Sequence, residues 1–224
     1  MAALVTAGLL AGVTAGTAGG AGASSSGSAS LTQARRDLLV LSDMPAGWKS
    51  TKNPNTNSTL GDTQLARCIG VTKSLLTENP PSVNSPQFQN AQGTLDVTDN
   101  VTVFPSVKNA EAEVAIASNQ RFPTCMTALA SGPLKAKLFG KLPKGTTIGT
   151  PLFSPVDTSA FGPGVVGSSM SVPITSQGVA INFNVTELFV VKGLLGHQVE
   201  FTAVGTPFSL GLEQQIMAVA ARQL

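Results

Sequence analysis

The sequence predicts an α+β domain, a single antiparallel β-sheet with helices packed on one face, held by one disulfide. Three observations predict it. Apolar residues alternate with period two through the second half of the chain, they recur at helical spacing near 31–41, 107–119 and the C-terminus, and only two cysteines, Cys68 and Cys125, are present.

Residues 31–41 read as a short helix with Leu38, Leu39 and Leu41 to one side, ending before a turn at Met44, Pro45, Ala46 and Gly47. The polar stretch 49–60 is rich in Pro, Asn, Ser and Thr and reads as a loop. A short helix over 62–67 then delivers Cys68, and a second loop runs through Pro86. Strand runs over 88–97 and 101–104 meet across Asp99 and Asn100, a pair suited to a hairpin turn. Ser106 fits as the N-cap of a helix over 107–119, with Val107, Ala110, Val114 and Ala117 on one face and Glu111 and Glu113 toward its N-terminal end. A short segment after Pro123 carries Cys125.

The clearest strand signal comes next. Met170, Val172 and Ile174, then Val179, Ile181, Phe183 and Val185, then Val199, Phe201 and Ala203 alternate with residues such as Asn182, Asn184, Thr186 and Thr202. Turns fall at 176–178 and near Lys192 and Gly193. Pro207 opens a final helix in which Leu212, Ile216, Val219 and Ala220 share a face.

Residues 1–30 carry no charge and stand apart. Their apolar run and the small-x-small pattern of Ala21, Gly22 and Ala23 read as a signal peptide, although no Lys or Arg precedes the run; the alternative is a disordered Gly/Ala/Ser leader. Residues 31–224 are then one domain, expected to be secreted or held in the cell envelope. A lipid anchor needs a cysteine at the cleavage point, and the first is Cys68.

Charged residues make up 12% of the chain with a net charge of +2, which gives no general pull toward nucleic acid. His197 is the one histidine, and neither cysteine has a Cys or His neighbour, so no metal site is expected. A disulfide is the default for Cys68 and Cys125 in an oxidising compartment and would stabilise the fold by about 4 kcal/mol. The alternative is two buried thiols in a cytosolic protein.

Candidate chemistry is sparse. Residues 162–167 match G-x-G-x-x-G, with Glu187 twenty residues on, but the string leads into a strand rather than a helix, so no dinucleotide cofactor is expected. A hydrolase would have to use His197 as its base, and His197 reads as a turn residue beside Gly196, directed away from Glu200. Asp96 and Asp99 flank the expected turn, and Glu111 and Glu113 read as solvated helix residues. Lys135, Lys137, Lys141 and Lys144, interleaved with Leu138, Phe139 and Leu142, form the one cationic cluster and would suit an anionic lipid surface; equally, their apolar neighbours would face the core. Trp48, the only Trp, would line a ligand cleft or anchor the first helix.

Several short segments together resemble a known family. They are residues 41–48 (LSDMPAGW), 66–70 (ARCIG), 101–106 (VTVFPS) before an Ala-rich helix, 122–125 (FPTC), and the closing strands with the last helix. The chain over 32–224 resembles the extracellular sensor domain of mycobacterial receptor Ser/Thr kinases of the PknH type and, more loosely, the PsbP-like fold. The resemblance implies a freestanding actinobacterial relative that binds a small or envelope-derived ligand in a cleft between sheet and helices, without catalysis. It departs from that family in having cysteines for one disulfide rather than two. The function expected is therefore ligand binding in the envelope; the alternatives are a peripheral membrane protein acting through 135–144 and an atypical hydrolase.

Overall fold

A computed structural model describes residues 26–53, 62–72, 80–132 and 144–224. Helix α1 (Ser26–Arg36) leads through a single 3-10 turn (Leu41–Asp43) to strand β1 (Lys49–Thr51). Helix α2 (Asp62–Ile69), strands β2 (Ser82–Asn84), β3 (Gln87–Gln89) and β4 (Leu95–Val103), and helices α3 (Val107–Ala117) and α4 (Phe122–Ser131) follow. Strands β5 (Thr146–Ile148), β6 (Leu152–Pro155), β7 (Val166–Ser176), β8 (Val179–Lys192) and β9 (Leu195–Val204) then precede helix α5 (Leu210–Gln223). The strands form one antiparallel sheet in the order β1-β3-β4-β9-β8-β7-β5, with β2 added to β4 and β6 to β7.

Local chemistry accounts for the joints. Gln177 and Gly178, at φ 51° and 81°, make the two-residue turn between β7 and β8, the conformation whose twist matches a tight hairpin. Ser106 caps α3 by accepting the backbone N–H of Asn109, and Ser209 caps α5 by accepting that of Leu212. Pro123 sits in the first turn of α4, where its missing N–H would have no helical partner.

The α+β class, the antiparallel sheet and the single disulfide are as expected; the helices, however, are divided between both faces. On the first face Phe183 and Val185 of β8 join Met170, Val172 and Ile174 of β7 beneath Leu65 and Ile69 of α2 and Phe122 and Met126 of α4. On the second, Leu188 and Val190 of β8 join Val199 and Phe201 of β9 beneath Ile216, Met217 and Ala220 of α5. Ala34 of α1 packs on Val101 and Val103 at the side of that second face. The physical reason lies in β8: its register with both neighbours is unbroken, yet its apolar residues change parity after Val185. Each half of the strand therefore needs its own cover.

Two other expectations are corrected. The hairpin turn at Asp99 and Asn100 does not exist, because β4 runs unbroken through them. Its turn lies earlier, at Asn90, whose side-chain Oδ1 accepts the N–H groups of Thr94 and Leu95. Asp99 and Asn100 find partners elsewhere: Asp99 in the core, and Asn100 through its Nδ2, which donates to Asn84 Oδ1 at 2.7 Å. The first helix also ends at Arg36 rather than 41, which frees Leu39 to turn fully into the core. The disulfide between Cys68 and Cys125, with Cα atoms 5.8 Å apart, ties α2 to α4 over the first face.

Candidate functional site

Strand register places polar residues in rows across the first face. Ser168, Glu187, Glu200 and Thr98 stand opposite one another across β7, β8, β9 and β4. On one side of that row lie Val166, Phe189, Gln198 and Asn100; on the other, Met170, Val185, Thr202 and Asp96. The face is thus apolar under α2 and α4 and turns acidic toward β9 and β4.

Three of these carboxylates are buried. Glu187 and Glu200 are 8% exposed and Asp96 9%. Gln198 Nε2 donates to Glu187 Oε1 at 3.0 Å, and Thr202 Oγ1 donates to Glu200 Oε1 at 3.1 Å. Asp96 Oδ1 has no hydrogen-bond partner among the described residues. Among the described residues no Lys or Arg is ion-paired with any of the three. Burial pushes the Glu187 carboxyl up to about 8, the charge on Glu200 pushes it the same way, and the hydrogen bond from Gln198 opposes both. Burial likewise pushes Glu200 up to about 7, opposed by the Thr202 hydroxyl and assisted by Asp96. Asp96 is raised by burial, against a hydrogen bond from Gln89.

Glu187 opens onto space. A pocket of about 90 Å³ lies between α3 and the sheet, bounded by Glu113, Ile116, Phe122, Ser168, Glu187 and Phe189. It adjoins a groove of about 540 Å³ that runs between the α3–α4 corner (Asn119, Gln120, Thr124) and Phe153, Val156 and Thr158. Ala117, Gly167 and Ser168 line both, so the two share a wall. Gly167 has a packing reason to be glycine: a Cβ there would meet the Glu187 carbonyl oxygen at 2.5 Å and Leu188 Cδ2 at 2.6 Å. The last glycine of the G-x-G-x-x-G string thus serves strand packing, and the string does lead into a strand.

The second face holds the histidine. His197 lies within β9, fully buried, rather than in a turn, with Nδ1 3.1 Å from Asp99 Oδ1. Asp99 Oδ2 accepts the Leu39 N–H at 3.0 Å, and the Asp99 N–H donates to Ser85 Oγ at 2.9 Å. His197 Nε2 has no hydrogen-bond partner among the described residues. Residue parity in β9 keeps His197 and Glu200 on opposite faces, as their spacing indicates. Sealed in this way, His197 lines neither the pocket nor the groove.

Of the other residues singled out by sequence, Trp48 is half-buried on the second face, its ring 6.3 Å from that of Phe208, outside the groove lining. Lys144 is exposed just before β5, while Lys135, Lys137, Phe139 and Lys141 lie outside the described residues. Glu113 is not a solvated helix residue; it is half-buried and lines the pocket, whereas Glu111 is exposed. Sequence reasoning missed Glu187, Glu200, Ser168 and Gln198. One signal was available: Glu187 continues the odd-numbered stripe of Phe183 and Val185, so a carboxylate occupies a core-facing position.

The geometry defines a disulfide-tied α+β domain with a groove adjoining a pocket that the buried Glu187 lines. No family model matches the chain, and no curated protein matches it in sequence. Among solved structures, the extracellular domain of PknH from Mycobacterium tuberculosis is similar at a TM-score of 0.46 and 12% identity, over 86% of this chain and 95% of that one.

Proposed function

We propose that this is a non-catalytic, extracytoplasmic ligand-binding domain whose site is the groove between the α3–α4 corner and strands β6 and β7. The observation that carries the reading is that the groove adjoins the pocket lined by Glu187. An opening of about 540 Å³ is within the size range of small-molecule sites, and it narrows onto convergent polar groups with perturbed ionisation. The frame is rigid, because α4 forms one wall and is tied to α2 by the disulfide. That bond also supports a location outside the cytoplasm, where disulfides persist. A binding role rather than hydrolysis is favoured because His197, the one imidazole, is buried against Asp99 on the opposite face.

The test is an NMR titration of the isotope-labelled chain against a library of small neutral, cationic and anionic compounds. Binding compounds should move the amides of Asn119, Thr124, Thr158 and Ser168, which border the groove. Thr124 is exposed on α4, so Thr124→Trp should leave the fold intact and abolish those shifts. Responses confined to other surfaces, or undiminished in Thr124→Trp, would contradict the assignment.

A further inference from the structure

We infer that the inner pocket receives the primary-ammonium end of a small molecule, with Glu187 as its counter-ion and the remainder of the molecule lying in the outer groove. This rests on the groove being the binding site. Three carboxylates on one sheet face, each at least nine-tenths buried, have no cationic partner among the described residues. Such an arrangement destabilises the folded state unless protons or an outside cation neutralise it. The groups that face Glu187 from the neighbouring elements are Glu200 on β9, Glu113 on α3 and Ser168 on β7, with Asp96 of β4 beyond Glu200. Among the described residues that face Glu187 none is positive, which disfavours an anionic ligand beside it.

Glu187 is also the carboxylate with access. Its Oε1 takes the Gln198 hydrogen bond, and its second oxygen has no hydrogen-bond partner among the described residues while the side chain lines the pocket. A primary ammonium has three donors to place, and Glu187 and the Ser168 hydroxyl supply acceptors beside the rings of Phe122 and Phe189, whose faces favour cations. The volume of about 90 Å³ suits an aminomethyl head, and the groove of about 540 Å³ the body attached to it. A metal ion is the weaker fit: among the described residues no group of three or more His, Cys, Asp and Glu side chains is placed to hold one.

The proton competes with the ammonium for Glu187, since burial holds its carboxyl up to about 8. Affinity should therefore rise with pH while an alkylammonium, like a lysine side chain, keeps its charge. The experiment is an NMR titration of the full chain with n-butylammonium, n-butanol and butyrate at constant ionic strength, at about pH 6 and about pH 9. At the higher pH butylammonium should move the amides of Ser168, Glu187 and Gln198 and bind about tenfold more tightly than butanol, with butyrate weakest. That preference should shrink several-fold at the lower pH and vanish in Glu187→Gln, a near-isosteric change that retains butanol binding. Equal binding of butanol and butylammonium, or a preference that survives Glu187→Gln, would overturn the ammonium site while leaving the groove in place. If no probe moves Asn119, Thr158 or Ser168, the groove assignment falls as well.

Discussion

On one face of strands β4, β9 and β8, Asp99 stands beside His197 in an apolar core and satisfies its oxygens with the imidazole and the Leu39 N–H. On the other, three residues along β9 from His197, Glu200 faces Glu187 of β8, and among the described residues Gln198 and Thr202 are the side chains that donate to them. Both faces bury ionisable groups under helices, yet the histidine face pairs an acid with a base and the glutamate face pairs an acid with an acid. The first arrangement holds the fold together: it ties the segment after α1, through Leu39, to two central strands. The second works against the fold, and like-charged buried carboxylates beside an opening are the arrangement expected of a site.

Breaking the Asp99–His197 pair should have the largest effect. Asp99→Ala removes the partner of both His197 Nδ1 and the Leu39 N–H in a fully buried position. It should lower unfolding free energy by about 4 kcal/mol, measured by urea denaturation, with the groove amides little changed in the protein that remains folded. A loss below about 1 kcal/mol would mean that the pair is dispensable.

The disulfide sharpens the comparison on the other side. Replacing Cys68 and Cys125 together by Ala should lower stability by up to about 4 kcal/mol. Hydrogen exchange should quicken in α2 and α4, which the bond joins, before α5 on the far face. Uniform loosening of both faces would contradict a bond that serves the groove wall.

How much of this could be read in the sequence differs between the faces. The β7–β8 hairpin was legible because Val172, Ile174, Ile181 and Phe183 alternate around a Gln-Gly turn, and local periodicity and turn chemistry agree there. The Cys68–Cys125 bond was legible because two cysteines allow one pairing. The turn at Asp99 and Asn100 was misread because these residues favour turns when their side chains bond locally, whereas here they bond to Leu39, His197 and Asn84, up to 98 residues away. Helices on both faces were hidden for a related reason: the parity change in β8 falls between Val185 and Leu188, and the alternating stripe was followed only as far as Val185. The acidic row across β8 and β9 is a product of register between strands, which no single segment displays.

The most direct measurement is the pH dependence of stability in the parent and in Glu187→Gln. Both glutamates ionise at a higher pH in the folded chain than their ordinary value of 4.5, with Glu187 at about 8. Between those values the folded state holds more protons than the unfolded one. The contribution of the pair is therefore most favourable below about pH 4.5 and is lost as pH rises toward 8. Glu187→Gln keeps the side-chain shape and removes one charge, so at about pH 8 it should be more stable than the parent by on the order of 2 kcal/mol, with a flatter slope below that pH. A variant that is less stable than the parent at that pH, or that keeps the parent's slope, would contradict the account of a fold that carries opposed buried carboxylates beside its inner pocket.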